Sequence, residues 1–280
     1  MATNSAIKNG TLYIVATPIG NIDDITLRAI NTLKSVDYIL AEDTRHSTKL
    51  LNSVGIKNKL SSFHAHNENE KYARVIDDLQ SGLDIALISD AGTPLISDPG
   101  YPLVQKAQLE KITVVPIPGA CAIIAALSAA GVSTDTFTFA GFLPAKSCAR
   151  ISKIQELKKL ETTIVVYEST HRIIDSINDI AKVLGSEAKI VLAKELTKAF
   201  ETLINASCID IITWLMADSN RCKGEFVIII PAVKTDSQLL VRELLTELLA
   251  DLPVKKAVKI ASKISGANKN LVYDLALQLK

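Results

Sequence analysis

The chain carries little aromatic surface: six Tyr, six Phe and one Trp in 280 residues. A wide aromatic platform for stacking single-stranded bases is thereby excluded. Its four cysteines, Cys121, Cys148, Cys208 and Cys222, are scattered with no CxxC pair. With no signal peptide at its start, such usage implies a reduced, cytoplasmic protein rather than a disulfide-framed one. Neither GxGxxG nor GxxxxGK[ST] occurs, which disfavours the common nicotinamide fold and nucleotide hydrolysis. His64 and His66 form an HxH in "SSFHAHNENE", but no second cluster completes a metal site. An exposed strand-end pair is expected there, and no metal is implied.

A usable membrane span is also missing. Residues 112–134 are uncharged, and the run is long enough to cross a bilayer. Pro116, Pro118 and Gly119 cut it into a short strand, a turn and an Ala-rich helix at about 120–130. That remnant is too short to span, and Ala122, Ala125, Ala126 and Ala129 suit close packing against a sheet or a second subunit.

What the chain does have is apolar residues, 48% of the total, enough for one large domain or two modest ones. Residues 12–15, 38–41, 85–88 and 113–115 are apolar on both faces, as strands of a covered parallel sheet should be. Helical patterns at 26–33 and 68–79 fall between them, which predicts an α/β domain over 1–117. A second series reads as strands at 137–140, 164–167, 190–193, 201–205 and 226–230, with helices at 152–159, 172–183 and 209–217. The alternation in "ETLIN" makes part of this sheet antiparallel, and a second α/β domain over 118–232 is expected. Residues 232–237 read as a linker to helices at 238–250, 253–264 and 268–279, giving a small basic domain over 233–280. From Pro253 onward there are six Lys against one Asp, a local +5 in a chain of net +1, so the remainder is −4.

Ligands of open α/β sheets sit beyond the carboxyl ends of the strands. Six such ends are loaded with turn or polar residues, at 17–21, 42–45, 89–100, 116–119, 141–144 and 168–172. In "LISDAGTPLISDPG", Gly92 lets the backbone approach a ligand, while Pro94 and Pro99 restrict the loop. The same residues also fit an ordinary tight turn in which Asp98 caps a helix starting near Pro99. Glu42, Asp43 and Arg45 combine two carboxylates with a guanidinium. They suit proton transfer and phosphate recognition, or equally a capped helix with an internal salt bridge. His171 and Arg172 pose the same choice, since Glu168 and Ser169 could cap the helix that follows.

Seven ordered stretches, "LYIVATPIGNIDDITLRA", "AEDTRHS", "LISDAGTPLISDPG", "PIPGACA", "GFLP", "YESTHRI" and "KGEFVIII", resemble the ribosomal RNA small subunit methyltransferase I family. The resemblance runs from Leu12 to Ile230 and places the chain in the tetrapyrrole methylase-like superfamily. It implies two α/β domains around a cofactor cleft (the class III methyltransferase fold), with a small helical domain after them. It further implies S-adenosylmethionine-dependent 2′-O-methylation of a cytidine in the decoding centre of 16S rRNA, by a homodimer acting on RNA or the small subunit. Cofactor contacts carry over to Gly92, Thr93, Ile96, Ala120, Cys121, Phe142, Tyr167 and Gly224, over a floor at Pro18 and Gly20. Cys121 departs from the Ser of many relatives.

A ribose hydroxyl is a poor nucleophile and must be oriented, with its proton removed. Asp43, then Glu195 and Asp98, are the candidate catalytic carboxylates. Arg45, His171, Arg172, Lys255 and Lys256 are the candidate RNA contacts. Two rivals are a tetrapyrrole methyltransferase, which needs no basic tail, and a non-enzymatic nucleic-acid binder, which leaves the loaded strand ends without a purpose.

Overall fold

The computed structural model describes residues 9–64, 68–232 and 237–279; His66, Lys280 and residues 233–236 of the expected linker lie outside these. Strands β1 (Thr11–Val15), β2 (Tyr38–Ala41), β3 (Leu60–Ser62), β4 (Ile85–Ile88) and β5 (Thr113–Ile117) alternate with helices. The helices are α1 (Leu27–Ser35), α2 (Thr44–Ser53), α3 (Glu68–Gln80) and α4 (Tyr101–Leu109). The strands form one parallel sheet in the order β3-β2-β4-β1-β5. Of the four strands expected to be covered on both faces, YILA and IALI are buried at every position, because helices cover both faces of the sheet there. By contrast, β1 is partly exposed and the edge strand β5 exposes Thr113 and Pro116. Leu40 and Leu87 meet Leu79 and Leu103 on one face, while Ile39 and Ala86 meet Leu33 and Leu51 on the other. This is the two-residue alternation of a pleated strand.

Two elements carry no apolar run to announce them. β3 is the edge strand LSS, paired to Ile39, Leu40 and Ala41. α2 is started by its cap, the Asp43 carboxylate accepting from the Arg45 N–H at 2.8 Å.

The second domain contains α5 (Ala122–Ala129), β6 (Phe137–Phe142), α6 (Ser147–Lys158), β7 (Thr163–Ser169), α7 (Ile173–Leu184) and β8 (Lys189–Lys194). It ends with β9 (Thr202–Ser207), α8 (Cys208–Met216) and β10 (Glu225–Ile230). Its sheet runs β6-β7-β10-β8-β9; β6–β7 is parallel and the other three pairings are antiparallel. Ile154, Ile177 and Ile211 pack α6, α7 and α8 on one face. The other face takes α5, whose Ile123, Ala126 and Leu127 lie against Val165, Val191 and Ile229. The uncharged run at 112–134 is thus divided between β5 and α5, and no helix among the described residues is long and apolar enough to cross a membrane.

The last three helices, α9 (Ser237–Asp251), α10 (Val254–Ser265) and α11 (Lys269–Gln278), enclose a core of their own. Val241, Leu245, Ala257, Val258, Ala261 and Val272 form it. Gly266, at φ 67°, ends α10 in the left-handed conformation that a side chain would resist.

Candidate active site

The loop after β4 is fixed from two sides. Gly92 exchanges backbone hydrogen bonds with Thr17 just beyond β1, its N–H donating at 3.0 Å and its carbonyl accepting at 2.9 Å. The Thr93 hydroxyl donates to the carbonyl of Ala120 at 3.1 Å, tying the loop to the approach to α5. Gly92, Leu95, Ser97 and Gly100 all have positive φ, at 80°, 70°, 71° and 122°. For Leu95 and Ser97 that conformation costs about 1–3 kcal/mol each, a strain tolerated where the surroundings over-determine the backbone. The ordinary-turn alternative for Asp98 does not hold. Gly100 is the N-cap of α4, with no side-chain cap. Asp98 instead lines the cavity, where burial, and after it the nearby Asp90 charge, raise its carboxyl against the influence of the Ser89 hydroxyl.

This loop forms one wall of a cavity of about 560 Å³ between the two sheets, within the range of small-molecule sites. Ile19, Glu42, residues 90–93 and residues 96–98 contribute from the first domain. Cys121, Phe142, Tyr167, His171, Leu196 and residues 224–227 are among those contributed by the second. Phe142 and Phe139 flank Tyr167 with ring centroids 5.6 and 4.9 Å away. Burial pushes the Tyr167 phenol well above its usual range, so it stays neutral.

The charge on this wall is one-sided. Glu42, Asp90, Asp98, Glu168 and Glu225 line the cavity, and among the described residues no Lys or Arg does. A polyphosphate would be repelled, whereas a ligand carrying positive charge is favoured. The sulfonium and amino group of S-adenosylmethionine match that field, and its adenine and aliphatic chain match Ile19, Ile96, Phe142 and Val227. Among the described residues, no group of three His, Cys, Asp or Glu side chains is arranged to hold a metal ion.

The structure therefore brings Gly92, Thr93, Ile96, Asp98, Cys121, Phe142, Tyr167, His171 and Gly224 to one cavity. Pro18, Gly20 and Ala120 are not among the residues that line it. At Gly20 the two domains are in close contact. A Cβ there would run into Lys198 and Thr197, and the Thr197 hydroxyl accepts from the Asn21 N–H at 3.0 Å.

Several expected catalytic and substrate residues are already occupied. Asp43 caps α2 and pairs with Arg45 at 3.2 Å, and it is not on the cavity wall. The hydrogen bond from Arg45 holds its carboxyl below the usual range. The Arg45 side chain is 89% exposed, at the outer side of the same strand end. Glu195 accepts from Lys198 at 2.8 Å and from the Glu225 N–H at 2.9 Å. Burial alone would raise its carboxyl, but these bonds outweigh burial and lower it. Arg172 pairs with the fully buried Glu168 at 2.7 Å and donates to the Leu143 carbonyl at 3.1 Å, so it braces two loops. Lys255 and Lys256 are exposed on α10, outside the cavity.

Ile19 and Asp90 reach the cavity without having been named as site residues, and so does Glu42, which the sequence offered only jointly with Asp43 as a proton-transfer carboxylate. Glu42 stands immediately after β2 and Asp90 two residues after β4. Position beyond a strand end was the available signal, but it did not distinguish Glu42 from Asp43.

Residues 11–211 match the family model "Tetrapyrrole (Corrin/Porphyrin) Methylases", and residues 235–280 match "RsmI C-terminal HTH domain". The ribosomal RNA small subunit methyltransferase I of Pseudomonas aeruginosa is 48% identical over 274 residues, covering 96% of this chain and 97% of that protein. Its counterparts in Pasteurella multocida and Vibrio cholerae are 50% and 49% identical, over 96% and 99% of this chain and 97% and 99% of theirs. Among solved structures, diphthine synthase superposes with a TM-score of 0.63 at 11% identity, over 79% of this chain and 90% of that one. The cobalamin-biosynthetic cobalt precorrin-4 methyltransferase gives 0.57 at 17%, over 78% and 94%. These two distant likenesses concern the fold alone. The family matches make this protein a methyltransferase with S-adenosylmethionine as its methyl donor. With identity near one half across almost the whole length, the chain belongs to the ribosomal RNA small subunit methyltransferase I family.

Proposed function

We propose that the protein 2′-O-methylates a cytidine of 16S rRNA in the decoding centre of the small ribosomal subunit. The observation that carries this reading is the separation of charge: an anionic cavity and a cationic tail. The donor supplies a methyl carbon activated by a neighbouring sulfonium. Gly92, Thr93, Ile96, Cys121, Phe142, Tyr167 and Gly224 wall its site, next to Pro18, Gly20 and Ala120 in the chain segments that carry Ile19 and Cys121. Asp98 orients the reacting groups, being the one of the three proposed catalytic carboxylates that lines the cavity. Arg45 and His171 at the rim, with Lys255 and Lys256 on α10, hold RNA phosphates, while Arg172 keeps the rim in shape.

Boundaries at 117/118 and 232/233 divide the chain into a donor-loop domain, a closing domain and an RNA-docking domain. The protein works in the cytoplasm as a homodimer. The test has two arms: calorimetry with S-adenosylmethionine, and mass analysis of 16S rRNA from cells with and without the gene. A ribose methyl on one cytidine that disappears with the gene supports the reading; an unchanged methylation pattern refutes it.

A further inference from the structure

We propose that Glu42 is the proton acceptor for the ribose hydroxyl, a role resting on the 2′-O-methylation reading above. The argument is one of elimination among carboxylates at a single cavity. Asp90 accepts from the Asp43 N–H at 3.0 Å, and the Ser89 hydroxyl beside Asp98 favours its charged form. Glu168 is bound by Arg172 and by the hydroxyl of Ser176. Glu225 pairs with Lys198 at 2.8 Å, as does Glu195. Asp43 pairs with Arg45. Among the described residues, Glu42 alone of these has neither a hydrogen-bond donor nor a cation, and it lines the cavity.

A carboxylate with no partner in a half-buried site is costly unless a ligand supplies the donor. A ribose O–H entering the cavity is such a donor. Glu42 lines the cavity together with the donor loop, and the exposed guanidinium of Arg45 follows three residues further along the chain. RNA held by its phosphates at the rim would thus present its sugar toward this carboxylate.

The step balances within the site. The ribose 2′-oxygen gives its proton to a Glu42 carboxylate oxygen, and its electron pair forms the new bond to the methyl carbon. The carbon–sulfur bond breaks as that bond forms, and its electron pair stays on the sulfur, which becomes neutral. Glu42 then returns the proton to water. Burial, with the charges of Asp90 and Asp98 behind it, raises the Glu42 carboxyl above the ordinary range. That brings it nearer to neutral pH, where a general base is most effective.

The test compares Glu42→Gln and Glu42→Asp with wild type, on small subunits from cells lacking the gene. Glu42→Gln is expected to lose about 10²- to 10⁴-fold in kcat, with calorimetric affinity for S-adenosylmethionine and the thermal melt kept. The wild-type rate should rise with pH through the raised carboxyl, and Glu42→Gln should lose that limb. Glu42→Asp, with its carboxylate drawn back, should be slower yet keep it. Asp90 and Asp98 on the donor loop and His171, Glu168 and Glu225 across the cavity also line this space, and Asp43 and Arg45 are the charged chain neighbours of Glu42 outside it. A His171→Asn protein that retains the limb assigns it away from the imidazole; a limb lost with His171 overturns the assignment to Glu42. In the unliganded protein, a side-chain carboxyl resonance titrating above the usual range should vanish in Glu42→Gln. Wild-type kcat in Glu42→Gln, or a loss cured by saturating donor, overturns the role while leaving ribose methylation intact. A base-methylated product from wild type removes the underlying reading instead, and the role with it.

Discussion

Replacing Asp179 by Asn removes one charge from the interior of the second domain while hardly changing its shape. Asp179 on α7 faces Arg150 on α6 with Oδ2 2.6 Å from Nη2, and the two side chains are 2% and 4% exposed. Its other oxygen accepts from the Ser147 hydroxyl at 3.0 Å and from Lys182 Nζ at 2.7 Å. With an amide in that place, the guanidinium stays buried without its counter-charge. Removing one partner of a buried pair costs about 3–5 kcal/mol. Lys182 is solvated and adds little. At about 2–4 °C per kcal/mol for a large domain, the melting midpoint should fall on the order of 10 °C.

Burial on its own would raise the Asp179 carboxyl, but hydrogen bonds from Lys182, Ser147 and Arg150 outweigh it and hold the group below its ordinary range. Because the folded value lies below the unfolded one, the stabilisation is full above about pH 4 and fades as pH falls through the depressed value. Urea melts followed by circular dichroism at several pH values measure both effects. The same guanidinium donates to the carbonyls of Pro144 and Ala145, just after Phe142, at 3.4 and 3.2 Å. Donor affinity should therefore weaken along with stability. Removing both charges together, as Arg150→Met with Asp179→Leu, should recover much of the loss. An Asp179→Asn protein within about 1 kcal/mol of wild type at pH 7 would refute the account of this pair.

Three further perturbations address the cleft and the tail. Gly92→Asp places a side chain at φ 80°, with Cβ 3.3 Å from Ile19 Cγ2. Left-handed strain of about 1–2 kcal/mol leaves the sheet folded, while calorimetric affinity for S-adenosylmethionine should disappear; unchanged affinity in a folded mutant excludes the loop from the donor site. Gly224→Ala, at φ 104°, puts Cβ 2.5 Å from Glu195 Oε1, so the Glu195–Lys198 pair must separate. Weaker donor binding and a lower melting midpoint are expected, and a protein identical to wild type in both removes that pair from the closing of the cleft. Changing Lys255, Lys256, Lys259 and Lys263 to Gln should spare donor binding, weaken binding to RNA and flatten its salt dependence. At a log–log slope of about 0.7 per phosphate contact on single strands, four lost contacts reduce it by about 2.8; an equal slope would return docking to Arg45 and His171.

The sequence by itself determined the layers. Strands such as YILA and IALI are apolar at every position and could be satisfied only between two layers of helix, so a covered parallel sheet followed from periodicity alone. The charge split between tail and remainder was equally plain, because it needs only counting. β3 was not visible, since LSS has no apolar pattern and is a strand only because β2 offers it an edge. The site divided in the same way. Residues beyond strand ends could be named, because open sheets place their ligands there. Which of two adjacent carboxylates faced inward could not, because that depends on the helix that follows. Asp43 is drawn into capping α2 and pairing with Arg45, which leaves Glu42 on the cavity wall. Glu195 and Arg172 looked available as isolated charges, and only the approach of Lys198 and Glu168 in three dimensions committed them to holding the cleft together. A carboxylate's chemistry is set by its partners, and whether even near neighbours such as Glu195 and Lys198 meet is decided by the backbone between them.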